Sequence, residues 1–98
     1  MMDIVAETIG SFFFTTIVLF SGSVGTALQP LTIGLGLAAV IWAFYNISMC
    51  AINPMIAMVL YLKGDLQPSK TVLYIIAEII GGLIAFAWYK WSTSHKGT

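Results

Sequence analysis

The chain contains no arginine, and its four Lys are matched by four carboxylates, so the formal net charge is zero. That balance excludes the basic surface that would hold nucleic acid, and no nucleic-acid partner is expected. One cysteine, Cys50, excludes an internal disulfide and leaves the redox compartment open. No Ser-His-Asp set, Cys-x-x-Cys pair or glycine-rich phosphate loop occurs. The five Met are scattered and the one His, His95, lies in a polar tail. Neither an enzyme, nor a cofactor, nor a metal site is expected.

Charge is scarce because apolar residues dominate: 59% of the chain is hydrophobic and 8% charged, with a mean hydropathy of +0.96. A soluble domain of this size could not hide so much apolar surface. The chain therefore reads as an integral, multi-pass membrane protein, forming one unit over 1–98. Three spans are predicted, over about 4–23, 31–49 and 71–90, each close to the ~20 apolar residues that a bilayer requires. No Lys or Arg precedes the first span and acidic residues sit at Asp3 before it and Glu7 within it, so it is not read as a cleaved signal peptide. Ser21 to Pro30 and Gly64 to Ser69 supply the connections, with Ser69 placed to cap the last helix.

Between the second and third spans lies Cys50-Ala51-Ile52-Asn53-Pro54-Met55, followed by apolar residues up to Lys63. A helix over about 53–62 rises only ~15 Å, half of the ~30 Å hydrocarbon core, so the pattern predicts a re-entrant half-helix. Asn is a favoured helix cap, and Pro suits the first turn, where its missing N–H is not needed. Inside a membrane the half-helix would present its positive end beside the Asn53 amide. Such a site can donate to a passing oxygen while repelling cations and protons.

Ala6-Glu7-Thr8-Ile9-Gly10 and Ala77-Glu78-Ile79-Ile80-Gly81 share the pattern Ala-Glu-x-x-Gly. Gly10 and Gly81 give each span a small face for close helix contact. An acid within a span normally faces a polar cavity or a partner, and no basic residue lies inside any span short of Lys90 at the very end of the third. Two readings stand for Glu7 and Glu78. They accept from the free N–H groups around the half-helix, which have no water to satisfy them, or they relay protons.

Ala6-Glu7-x-x-Gly10-Ser11-Phe12, Asn46-Ile47-Ser48-x-x-x-x-Asn53-Pro54 and Tyr74-Ile75-x-Ala77-Glu78-x-x-Gly81-Gly82 together resemble one half of the major intrinsic proteins, the aquaporins and glycerol facilitators. The resemblance implies an all-α fold of three transmembrane helices plus one re-entrant half-helix. It further implies that an inverted second copy completes the aquaporin-like fold and that the two Asn-Pro half-helices meet at mid-membrane. On that footing Asn53 and Pro54 line the pore, and Glu7, Glu78, Asn46 and Ser48 support the re-entrant loop. Glu78 stands where the family more often has Gln.

The departures concern selectivity. Met55 replaces the usual Ala, Asn46 the usual His, and Met49-Cys50 the usual small residues, while Cys50 to Pro54 is similar to the second repeat of water channels. Ile56 takes the position of the filter arginine. By the same alignment Ile33 and Ile41 face the filter, which would be apolar.

Three spans put the termini on opposite sides, with Lys63 and Lys70 on one and Lys90 and Lys96 on the other. Orientation follows Lys/Arg asymmetry, so an even count predicts dual topology and an antiparallel homodimer. The family implies four such pores per assembly. The expected function is a passive channel for water or small neutral solutes such as glycerol. Alternatives are a proton- or ion-coupled dual-topology transporter using Glu7 or Glu78, and a membrane structural subunit that transports nothing.

Overall fold

The computed structural model describes residues 1–94; His95 and Lys96 lie outside the described residues, and no strand occurs among those described. Four helices follow one another: α1 Met2–Phe20, α2 Gln29–Ser48, α3 Pro54–Lys63 and α4 Pro68–Ser94. A 3-10 turn over Ser21–Val24 extends α1, so the continuous helical stretch is Met2–Val24. α1, α2 and α4 are long and apolar enough to cross a membrane, and α3 is a short apolar helix. The fold is all-α, with the three long helices and the one short helix of half an aquaporin fold.

Local chemistry sets the ends. Asp3 sits in the first turn of α1, where its carboxylate faces the positive end of the helix, and its Oδ1 accepts from the Ile4 N–H at 2.9 Å. Pro30 falls in the first turn of α2. α4 begins at Pro68 rather than after a Ser69 cap, because proline is already set for the first helical position. Its last turn also runs beyond the apolar span. The Ser92 and Thr93 hydroxyls donate to the Tyr89 carbonyl, which keeps polar residues helical outside the hydrocarbon.

α1 is the central element, packed on α4 along one side and α2 along the other, while α3 rests on α4. The interior is built from small residues. Ala6, Ala77 and Ala85 are buried at the helix crossings, and Ala51, Ala57, Leu66 and Tyr74 tie α3 to α4. Large apolar side chains such as Phe13, Leu35, Trp42, Leu83 and Phe86 face outward. In water that inversion would expose a large contiguous apolar surface; hydrocarbon around the bundle removes the cost.

Lys70 Nζ lies 2.6 Å from Asp3 Oδ2, which fixes the start of α4 beside the start of α1. The Lys63 ammonium pairs with Asp65 at 2.6 Å just beyond α3, and that carboxylate raises its pKa above the ordinary lysine value. Lys70 therefore sits at the end of the bundle that carries the N-terminus, and Lys63 lies one short loop before α4 begins there.

Candidate functional site

The segment between α2 and α3 bends back through left-handed backbone. Met49, Cys50 and Ile52 have φ of 65°, 52° and 45°, a conformation that costs a non-glycine residue about 1–2 kcal/mol. Met49 closes α2 by donating its N–H to the Tyr45 carbonyl at 2.8 Å. The next amides turn towards α1, where Glu7 is fully buried. Glu7 Oε2 accepts from the Ser48 hydroxyl at 2.6 Å and from the Ala51 N–H at 3.2 Å, and Oε1 accepts from the Ile52 N–H at 2.9 Å. The Ser48 hydroxyl also accepts from the Cys50 N–H at 3.1 Å. Ser11, one turn after Glu7, donates its hydroxyl to the Ile52 carbonyl at 3.4 Å. Gly10 makes room for this segment: a Cβ there would lie 3.2 Å from the Ile52 side chain.

Asn53 then caps α3. Its Oδ1 accepts from the Met55 N–H at 2.9 Å and its carbonyl from the Ala57 N–H at 2.9 Å. The oxygen of its amide is thus committed to the cap, and the NH2 group has no partner among the described residues. Asn53 and Pro54 open onto a groove of about 370 Å³ lined by Phe14, Thr15 and Val18 of α1, by Ile52, and by Glu78 and Ile79 of α4.

The two carboxylates of the Ala-Glu-x-x-Gly echo part company here. One sequence reading pairs both with the orphan donors of the re-entrant segment; in the structure the donors that reach a carboxylate go to Glu7. Ser48 and Asn53 serve the Cys50 and Met55 amides, and Glu7 accepts from Ala51, Ile52 and the Ser48 hydroxyl, three donors on a single carboxylate. Glu78 is 4% exposed, and neither of its oxygens receives a hydrogen bond among the described residues.

Other residues singled out by the sequence lie elsewhere. Cys50 faces the interior, 6% exposed, its thiol donating to the Val40 carbonyl at 3.5 Å beside Ile52 and Phe44. Met55 and Ile56 are exposed on the first turn of α3. Ile41 is exposed on α2, Ile33 is partly buried, and none of these four lines the groove. Asn46 is exposed and makes no side-chain hydrogen bond among the described residues. Gly81 lies at the crossing of α4 with α1, where its absent side chain lets backbone meet backbone. Ser11, quoted above only as part of a motif, joins the site through the Ile52 carbonyl, and Thr15 and Val18 join it without having been singled out. Their signal was the successive spacing Glu7, Ser11, Thr15, Val18, which sets three polar residues and then Val18 on one face of α1.

The chain matches the family model described as Major intrinsic protein over residues 1–97. Among curated proteins it is similar to the aquaporin AqpM of Methanothermobacter thermautotrophicus, at 34% identity over 106 aligned positions, covering 83% of this chain and 43% of that protein. Aquaporin-8 of Botryotinia fuckeliana is 35% identical over 60 positions, covering 61% of this chain and 18% of that protein. Aquaporin-7 of the same organism is 36% identical over 74 positions, covering 68% and 16%. The chain spans less than half the length of these curated relatives. No solved structure matches it. The family match runs through the Glu7 clamp, the Asn53 cap and the groove they frame, and the chain belongs to the major intrinsic protein family as an integral membrane protein.

Proposed function

We propose that the chain forms half of a passive channel for water or small neutral solutes, completed by a second copy in inverted orientation. The observation that carries this reading is the short helix α3, whose capped N-terminus and unengaged Asn53 amide open onto the groove. Backbone that leaves helical geometry inside a membrane is tolerated only where it is buried in protein or lines a polar cavity. The groove is walled by α1, the re-entrant segment and α4, which is a trough rather than a tube. A copy related by a two-fold axis in the membrane plane would supply the missing wall and bring a second Asn53 to face the first. The similarity to named aquaporins supports water as one permeant.

Vesicle swelling tests the reading. Purified protein in vesicles should speed osmotic shrinkage without a pH gradient, and rates equal to those of empty vesicles would sink the proposal. The undonated Glu78 carboxyl favours a second reading, a proton-coupled transporter. That reading requires flux to follow an imposed pH gradient and to vanish in Glu78→Gln, whereas the channel keeps its water flux in that variant.

Inverted pairing requires both orientations in one membrane. Lys63 and Lys70 lie at the N-terminal end of the bundle and Lys90 near the other. Removing one lysine should tip the balance: Lys90→Gln should hold the N-terminus in the cytoplasm, and Lys63→Gln should send it out. Protease protection of a terminal tag reads both, and a single fixed orientation in the unsubstituted protein would rule out the inverted homodimer.

A further inference from the structure

Glu78 lines the groove beside Asn53 in the company of a second acid. It is 4% exposed, and no N–H or hydroxyl donor among the described residues reaches either of its oxygens. The group set against it is the Glu7 carboxyl, whose two oxygens already accept from the Ser48 hydroxyl and the Ala51 and Ile52 amides. A bond between the two carboxyls therefore forms only if Glu78 supplies the proton. Other charge is tied up elsewhere. Tyr74, one turn before Glu78, donates its hydroxyl to Asp3 at 3.4 Å, and Asp3 pairs with Lys70 at 2.6 Å. The Cys50 thiol turns to the Val40 carbonyl, and the ionisable residues of α3, Tyr61 and Lys63, lie in its last turn, with Lys63 paired to Asp65. No cation faces the two acids among the described residues, and two adjacent carboxylates without one cannot both hold a charge cheaply.

We propose that Glu7 and Glu78 share one proton, that through it Glu78 is a positioning residue for the Glu7 clamp, and that losing this proton closes the groove. The inference rests on the channel reading and adds a regulation of that same site. While the proton is present, the Glu78 hydroxyl donates to Glu7 and holds its own side chain against α1. Hydroxide removes the proton as water and leaves a second carboxylate beside the first. Glu78 then loses its bond to Glu7 and is repelled by it. The groove offers it two donors in exchange, the Thr15 hydroxyl and the Asn53 NH2, whose amide oxygen stays with the Met55 N–H. A carboxylate turned to these donors occupies the Asn53 amide and puts a charge across the path that a neutral solute would take.

The test measures water flux through the full chain in vesicles from about pH 6 to about pH 10, with the same pH on both sides so that no gradient drives transport. Flux through the unsubstituted protein should fall about tenfold for each pH unit beyond the transition, as the loss of a single proton requires, and should recover on return to neutral pH. Glu78→Gln keeps a donor for Glu7 and has no proton to lose, so its flux at the two ends of the range should stand in a ratio of about one. Thr15→Val removes a donor that the turned carboxylate needs and should move the fall about one pH unit higher, the scale of one hydrogen bond to a charged group. Infrared difference spectra read the proton without any flux. A carboxylic acid carbonyl band should be present at neutral pH, fade in alkali and be missing from Glu78→Gln. Flux that is flat across the range in the unsubstituted protein, or an alkaline fall that persists in Glu78→Gln, would overturn the closing step with the channel reading intact. A missing band at neutral pH would overturn the shared proton even if Glu78→Gln failed to fold. Absence of flux at every pH would remove the channel reading and the closing step together, while the band, if present, would keep the shared proton.

Discussion

Glu7→Gln is expected to lower stability by about 2–3 kcal/mol and Glu7→Ala by about 4–5, because buried donors lose the charged acceptor they share. In the glutamine the single amide oxygen can keep the Ser48 and Ala51 donors or the Ile52 donor, not all three. Whichever it keeps, an NH2 group is set against an N–H. Alanine leaves every donor unanswered in a segment sealed from water. The loss matters beyond the bonds themselves, since these three hold Met49, Cys50 and Ile52 in left-handed backbone. Strain of about 1–2 kcal/mol at each of those residues is comparable with what the bonds supply, so the segment should relax once they go. Ser48→Ala removes one donor to Glu7 and the acceptor for the Cys50 N–H, and should cost about 1–2 kcal/mol. Denaturation in detergent micelles should rank Glu7→Ala below Glu7→Gln below Ser48→Ala. Osmotic flux should fall in the same order. A Glu7→Ala protein within about 1 kcal/mol of the parent would show that the clamp does not hold the loop.

This clamp was half legible in the sequence. An acid in an apolar span demands a partner, and a half-helix starting at Asn53-Pro54 supplies unpaired N–H groups, so the match between them follows from chemistry. Counting the donors left after local capping requires coordinates. Asn53 serving Met55 and Ser48 serving Cys50 reduce the supply until one carboxylate is enough, and the Ala-Glu-x-x-Gly echo becomes an asymmetry between Glu7 and Glu78. The helices themselves were easy, because uninterrupted apolar stretches and Pro/Gly punctuation leave few alternatives. Lateral orientation was harder. Cys50 belongs to the lining on sequence pattern alone, yet its left-handed φ turns the thiol into the interior against Val40. Thr15 and Val18 reach the groove through the rotation of α1, which apolar periodicity does not reveal in a helix that is hydrophobic all round.

Gly81→Ala should weaken the contact between α1 and α4 by about 2–3 kcal/mol, near the upper end of the range for overpacking. A Cβ at that position would overlap the Thr8 carbonyl oxygen and lie 3.0 Å from both the Phe12 amide nitrogen and the Ser11 Cβ. Two of those three atoms are backbone and cannot rotate away, so the helices must separate. Separation acts on the site directly, because Gly81 is one turn from Glu78 and Ser11 is one turn from Glu7 on the facing surfaces. The other glycines give an internal scale. At Gly10 a Cβ would meet the Ile52 side chain at 3.2 Å, and that side chain can yield, so Gly10→Ala should cost less. At Gly82 the nearest atom is the Thr15 hydroxyl oxygen at 3.7 Å, an ordinary contact, and Gly82→Ala should be close to neutral. Gly34 has nothing within 4 Å, so alanine there should slightly stabilise the helix through its better propensity. Unfolding in detergent should therefore order the variants Gly81, Gly10, Gly82 and Gly34 from most to least damaging. In vesicles, Gly81→Ala should lose solute flux together with stability, whereas Gly82→Ala should keep both. If Gly81→Ala were as stable as Gly82→Ala, the close crossing of α1 and α4 would not exist in the membrane, and the groove that depends on it would have to be redrawn.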